Sequence, residues 1–433
     1  MSANALAIIL ISLVILLATG VPIAFSIGIA SIITIITTVP ANVATLTAAQ
    51  RSFVGMSSFT LTAIPFFILA GNLMNEGGIA KRLVDFVMAI LGKLPGALLV
   101  TNVGANALFG AISGSASAAA AAVGSMVKAG EEKQGYDKAV SASTNGASAP
   151  AGLLIPPSNA LITYSLVSGG TSVAALFLGG YIPGLIWSIA CIIVAIAIAK
   201  KKGYKANEGK FSFAVLGKAT LRALPSLGLI VVVIGGIVAG IFTATEGSAI
   251  SVLYSLILGF IYKNLNPQKV WTIVVESAKM SAIVVFLIGL SNILSWVMAF
   301  TGIPQMVGEA LLKVSDNKYV IFLIMNIILL ISGTFMDVTP AILIFTPLFL
   351  PIATQFGMHP VQFGLMIVYN LCIGNITPPV GNTLFVAIKV GDTSLSKVMP
   401  YMLKFYLAIL IGLLLVTYLP MTSLILPIKA GLI

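Results

Sequence analysis

From its first residue the chain is apolar for most of its length, interrupted at intervals by short polar or glycine- and proline-rich stretches. Residues 1–50, 94–127, 139–199 and 280–308 contain no Asp, Glu, Lys or Arg. Each is long enough for at least one membrane span of roughly 20 residues. From Tyr319 to Ile388 the only charged side chain is Asp337. These runs predict spans near 3–19, 22–38, 57–75, 140–168 and 173–199 in the first half of the chain. In the second half they predict spans near 224–240, 245–262, 280–300, 361–388 and 401–425. Between the third and fourth span of each half lies an apolar stretch with a polar, glycine-containing centre, over 97–127 and 319–350. Both read as re-entrant hairpins, with tips at Ser113–Ser117 and Ser332–Asp337. "KRLVDFVMAILGKL" (Lys81–Leu94) has the pattern of an amphipathic helix lying in the membrane interface.

Composition turns this pattern into a class. Of 433 residues, 59% are hydrophobic and 8% charged, and the mean hydropathy is +1.11. A soluble domain is excluded, and an all-α polytopic membrane protein in a lipid bilayer is expected. The net charge of +11 does not point to nucleic acid, because Lys and Arg are scattered through short loops and act as topology signals. The opening stretch lacks a basic leader segment and stays apolar well past signal-peptide length, so a retained span is expected.

The chain also reads as one unit written twice. "GLLIPPSNALITYSLVSGGTS" (Gly152–Ser172) lies over "GNITPPVGNTLFVAIKVGDTS" (Gly374–Ser394) at an offset of 222, matching both prolines and three later positions. At similar offsets "SGSASA" from Ser113 lies over "SGTFMD" from Ser332, and "GVPIAFSIG" over "GIFTATEGS". The expected units are 1–199 and 213–433, joined by a basic cytoplasmic linker at 200–212. In the corresponding expected loops Lys and Arg number one in 40–56 against three in 263–279, and three in 127–139 against none in 350–362. By the positive-inside rule that reversal makes the copies inverted, with about five spans and one hairpin each.

Helix breakers at membrane depth need a reason, since unpaired backbone groups cost several kcal/mol each in hydrocarbon unless they line an enclosed or wet cavity. "NGASAPAGLLIPPSN" and "GNITPPVGNT" are such breaks, and the proline pairs are expected to start new helices there. Helix N-termini at mid-membrane suit a carboxylate; exposed carbonyls and hydroxyls suit a hard cation such as Na+. Candidate Na+ ligands are Ser113, Gly114, Ser115, Asn145 and Gly146 in the first copy, and Ser332, Gly333, Thr334, Asp337, Gly374 and Thr377 in the second. The symmetry suggests at least two Na+ sites. Candidate solute-binding residues are Ser117, Pro156, Asn159, Thr339, Asn382 and Thr383.

The blocks "GVPIAFSIG", "SGSASAAAAAVG", "GLLIPPSN", "GIFTATEG", "SGTFMDVTPAILIFTPLFLPI" and "GNITPPVGN" occur in an order that resembles the large membrane subunit of the tripartite ATP-independent periplasmic (TRAP) transporters. That resemblance covers essentially the whole chain. It implies an elevator mechanism with scaffold and transport domains, sodium coupling, and a bacterial inner-membrane location. It further implies a small four-helix (Q-type) membrane partner, expected as a separate chain, and a periplasmic (P-type) binding protein that delivers an acidic solute. Sialic acid and C4-dicarboxylates are the leading solutes.

Each feature also has a plainer reading. "SGSASAAAAAVG" could be close helix packing alone, and Asp337 could be a helix cap rather than a site carboxylate. Glu246 is expected to serve a buried hydrogen bond or a partner contact, and His359 to sit in a surface loop. An intramembrane serine hydrolase lacks a base near either tip, and an aspartyl type lacks two acids together. A channel would favour a symmetric ring-lined pore. The rival is a stand-alone sodium- or proton-coupled di- or tricarboxylate symporter of similar plan.

Overall fold

The computed structural model describes residues 2–205 and 213–433, and every regular element among them is helical. The first half holds α1 (Ser2–Ala18), α2 (Ile23–Ile36), α3 (Ala41–Met56), α4 (Ala63–Glu76), α5 (Ile79–Leu91), α6 (Ala97–Ser113) and α7 (Ala116–Lys133). It continues with α8 (Lys138–Ser148), α9 (Ala151–Leu154), α10 (Asn159–Val167) and α11 (Val173–Lys202). The second half holds α12 (Phe213–Val238), α13 (Ala244–Ile261), α14 (Pro267–Thr301), α15 (Ile303–Val314), α16 (Lys318–Gly333) and α17 (Val338–Gln355). It ends with α18 (Pro360–Gly374), α19 (Asn382–Val390), α20 (Leu395–Tyr418) and α21 (Met421–Lys429). Helices beginning at 97, 116, 138, 159 and 173 are answered by helices beginning at 318, 338, 360, 382 and 395. Of the expected linker, residues 206–212 lie outside the described residues, and α11 runs through 200–202.

Six helices among the described residues are long and apolar enough to cross a membrane, seven if α3 and α4 form one span bent by 55°. That pair corrects the expected span at 57–75 and the loop at 40–56, which is the helix α3. Its polar composition suggested a loop, yet Ala44, Ala48 and Gly55 bury a small-residue stripe. A Cβ on Gly55 would stand 2.6 Å from Asn292 Nδ2 of α14, so small residues let the two helices approach closely. The counterpart in the second half is the unbroken 35-residue α14, which also takes in residues 267–279 of the expected loop at 263–279. The expected span at 401–425 is divided into α20 and α21, separated at Leu419–Pro420. Helix α5 sits where the amphipathic pattern lay, and α15 is its unforeseen equivalent in the second half.

The proline pairs do not sit in the first turn of the following helices. Pro156–Pro157 and Pro378–Pro379, both cis, occupy the turns, and the helices start at Asn159 and Asn382. Ser158 caps the first of these, its hydroxyl accepting from Leu161 N (3.4 Å) and donating to Leu153 O. Around the breaks, α11, α18 and α20 form a dense core. Trp187 is fully buried, donates to Ala147 O (2.9 Å), and meets Tyr369 edge-on at 4.9 Å.

Glycine pairs lock each hairpin to its neighbouring broken helix. A Cβ on Gly152 would stand 2.2 Å from Gly110 Cα, and one on Gly374 would stand 2.4 Å from the carbonyl carbon of Gly333. These are backbone-to-backbone approaches that only glycine permits. They set each tip directly against a helix break.

Candidate functional site

Both tips and both breaks border one open cavity, about 980 Å³ of empty space including its mouth. One wall is a single face of α4, with Ile64, Ile68, Gly71, Asn72 and Asn75, joined by Met280 and Val284 of α14. The opposite wall is Ser113–Ala118 of the first tip, Leu153, Asn159, Ala160 and Thr163 around the first break, Asp337–Thr339 of the second tip, and Asn375. Asn72 Nδ2 donates to Ser277 Oγ (2.9 Å), tying α4 to α14 at the cavity edge.

Three helices begin at this wall. α7 is capped by Ser115, whose Oγ accepts from Ala118 N (3.3 Å) and lies 3.2 Å from Ser117 Oγ. α10 begins at Asn159, and α17 is capped by Asp337, whose Oδ1 accepts from Val338 N (2.9 Å). Their free N–H groups and partial positive charge favour an anion in the space between them. No Lys or Arg lines the cavity among the described residues, and Asp337 is its one carboxylate. A carboxylate-bearing solute would therefore meet dipoles and hydroxyls, and a bound cation would offset Asp337.

Seven of the residues singled out from the sequence line this cavity: Ser113, Gly114, Ser115, Ser117, Asn159, Asp337 and Thr339. The turn itself is only Gly114–Ser115, because Ala116 and Ser117 already belong to α7. Asn159 Oδ1 is buried without a partner, and Gly114 (φ +63°) lets the tip pass close to it: a Cβ there would stand 2.7 Å from Asn159 Nδ2. Ser332, Gly333, Thr334, Gly374 and Thr377 gather behind the second tip rather than on the cavity wall. There Val380 N donates to Thr334 O (3.2 Å), Thr334 Oγ1 to Ile331 O (2.7 Å) and Thr377 Oγ1 to Ile373 O (2.7 Å). Thr383 is buried beside Asn375, donating its N–H to Asn375 O (3.2 Å), with its hydroxyl unpartnered. Asn382 is exposed and Pro156 is buried within its turn.

Asn145 and Gly146 are not brought to the tip. Asn145 packs beyond the first turn of α7, donating to Ala120 O (2.8 Å) and accepting from Asn106 Nδ2 (3.0 Å). Gly146 faces Ala387 and Leu384 of α19. Glu246 is exposed rather than buried, and closes a capping box with Thr243, accepting from its N (2.7 Å). Sequence reasoning missed Asn72, Asn75, Thr163 and Asn375 as wall residues. Two amides three residues apart in the apolar α4 were the available signal.

A family model described as "Tripartite ATP-independent periplasmic transporter, DctM component" matches residues 10–422. The chain belongs to the DctM family of TRAP transporters. It is 37% identical to the C4-dicarboxylate TRAP transporter large permease protein DctM of Rhodobacter capsulatus, covering 97% of this chain and 98% of that one. It is 37% identical to the sialic acid large permease protein SiaM of Vibrio cholerae, covering 95% and 96%. An isethionate TRAP transporter permease of Oleidesulfovibrio alaskensis is 38% identical over 93% of this chain and 63% of its own length. The YdaH transporter of Alcanivorax borkumensis, at 14% identity, shares the fold with a TM-score of 0.58 over 83% of this chain and 85% of its own. The DctM-family chain is thus a multi-pass inner-membrane transporter permease and not an enzyme.

Proposed function

We propose that this large permease subunit imports an acidic organic solute by sodium-coupled secondary transport. In this reading two inverted units, 1–199 and 213–433, present their hairpin tips to one solute, and the tips and broken helices move as a transport domain against a scaffold. A Q-type four-helix subunit would brace the scaffold, and a P-type periplasmic binding protein would deliver the solute, a sialic acid or a C4-dicarboxylate. The observation that carries the reading is the cavity in which three helix N-termini, a hydroxyl-rich tip and the Asp337 carboxylate converge with no other charged side chain among the described residues. Such a wall can hold an anion by N–H groups and hydroxyls, with Na+ supplying the missing positive charge. Asp337 and the first tip would hold Na+ at the cavity, and the hydroxyls and carbonyls behind the second tip offer a further oxygen-rich position.

The test is uptake of labelled sialic acid and succinate into proteoliposomes holding the chain with its small partner, with and without a sodium gradient and the binding protein. Uptake requiring both is expected. Sodium-driven uptake without the binding protein would instead identify a stand-alone symporter.

A further inference from the structure

The base of the first hairpin holds a second polar pocket, of about 360 Å³ including its mouth. It is bordered by α6, the last turns of α7, the start of α8 and the end of α19. Glu131 lies fifteen residues along α7 from its first residue, about 22 Å at 1.5 Å per residue, so this pocket is remote from the tip cavity. The Glu131 side chain is 5% exposed, and its Oε1 has no hydrogen-bond partner. Tyr136 and Ser141 line the same pocket at 7% and 8% exposure, and both hydroxyls are equally unpartnered. Three buried oxygens therefore border one gap, Ser141 standing beside Glu131 without closing a well-formed hydrogen bond to it. Native interiors rarely leave such groups without a ligand or ordered water.

Charge distinguishes between those two fillings. Lys128, Glu132 and Lys138 also line the pocket, and Lys138 is bridged to Asp392 at 2.9 Å. Asp392 does not itself line the pocket, and Glu132 and Lys138 are exposed at its mouth, so Glu131 is the one charged group buried inside it, with no ion pair to any described residue. α6 and α19 contribute no titratable side chain to the lining; Tyr204 stacks on Tyr136 at 4.2 Å. Asn145 lines the pocket too, but its amide is already engaged with Ala120 and Asn106.

We propose that this pocket is a binding site for one monovalent, Na+-sized cation, held by the Glu131 carboxylate and the hydroxyls of Ser141 and Tyr136. Oxygen-only donors with a single carboxylate suit a hard monovalent ion, whereas Ca2+ or Mg2+ calls for more oxygen ligands or bound phosphate. The ion would tie the base of α7 to α8. The inference stands independently of the sodium-coupled reading of the tip cavity.

The test is the stoichiometry and affinity of radioactive sodium binding to the purified full-length chain. Glu131→Gln is expected to remove one bound ion per chain, both in the wild-type background and in Asp337→Ala. Ser141→Ala, which keeps the carboxylate, is expected to weaken that ion's affinity roughly 10-fold. Soaking crystals with thallium(I) should place an anomalous peak between Glu131, Ser141 and Tyr136. Unchanged sodium stoichiometry in Glu131→Gln would overturn the proposal, as would a pocket without thallium, which holds water only. Should Glu131→Gln fail to fold, unchanged affinity in Ser141→Ala overturns it equally. Loss confined to Asp337→Ala bears only on the tip cavity.

Discussion

Replacing Gly374 by alanine tests the contact that sets the second hairpin tip against its broken helix. The new Cβ would stand 2.4, 2.5 and 2.6 Å from the carbonyl carbon, oxygen and Cα of Gly333. Ordinary contact begins near 3.4 Å, so α16 and α18 must separate by about 1 Å. All three neighbours are backbone atoms, so no change of rotamer relieves the clash. Overpacking of this kind costs about 1–3 kcal/mol, roughly a 5- to 150-fold change in the population of the native packing. Gly152→Ala makes the same test in the first half of the chain, against Gly110 at 2.2 Å. Gly235→Ala is the control: nothing lies within 4 Å of its added Cβ in α12, and it should be neutral or stabilising by about 0.5–1 kcal/mol. The assay is the fraction of purified protein that stays monodisperse after a graded heat step, beside solute uptake in proteoliposomes. Gly374→Ala and Gly152→Ala should melt earlier and transport more slowly than Gly235→Ala. Equal melting and uptake in all three would refute the reasoning that these glycines position the tips.

Asp337→Ala should weaken sodium-dependent uptake while leaving a monodisperse protein, and unchanged sodium dependence would remove that carboxylate from the site. Ser117→Phe should fill the cavity and block uptake. Thr334→Val removes a hydroxyl from the group behind the second tip and should weaken sodium-dependent uptake with folded protein retained. Asn72→Leu breaks the bond to Ser277 and should cost about 0.6–1.7 kcal/mol, read as earlier melting with folded protein retained. At the Lys138 end of α8, Asp137 accepts from Lys202 (2.9 Å) and Tyr401 (3.2 Å). Burial pushes its carboxyl up, but hydrogen bonds from Lys202, the Ala139 amide and Tyr401 outweigh it and hold the group below the usual carboxylate range. A depressed carboxyl stabilises the fold above its unfolded value of 3.8, and that contribution is lost as pH falls through the folded value. Melting curves of wild type should therefore approach those of Asp137→Asn as the buffer is taken below about pH 4.

The class of this protein was legible from the order of residues alone. Charge-free runs of span length can be stable only as helices in lipid, because a bilayer leaves backbone groups no other partner. The breaks at "LIPPSN" and "ITPPVGN" stood out for the same reason: proline and glycine interrupt the helix wherever the chain folds. Seven cavity residues followed from those breaks and from the serine-rich tip. The helicity of α3 was hidden, since its polar residues read as a loop and its stripe of alanines and glycine gains meaning only against α14. Asn145 lay close to a break in sequence yet is spent on a hydrogen-bond network between α6, α7 and α8. Asn72 and Asn75 entered the site because α4 happens to face both tips. Local sequence governs which backbone groups lose their partners, and so where a site must be sought. Which side chains then meet across that site is decided by helix packing, where contacts join residues more than two hundred positions apart, as Asn72 joins Ser277.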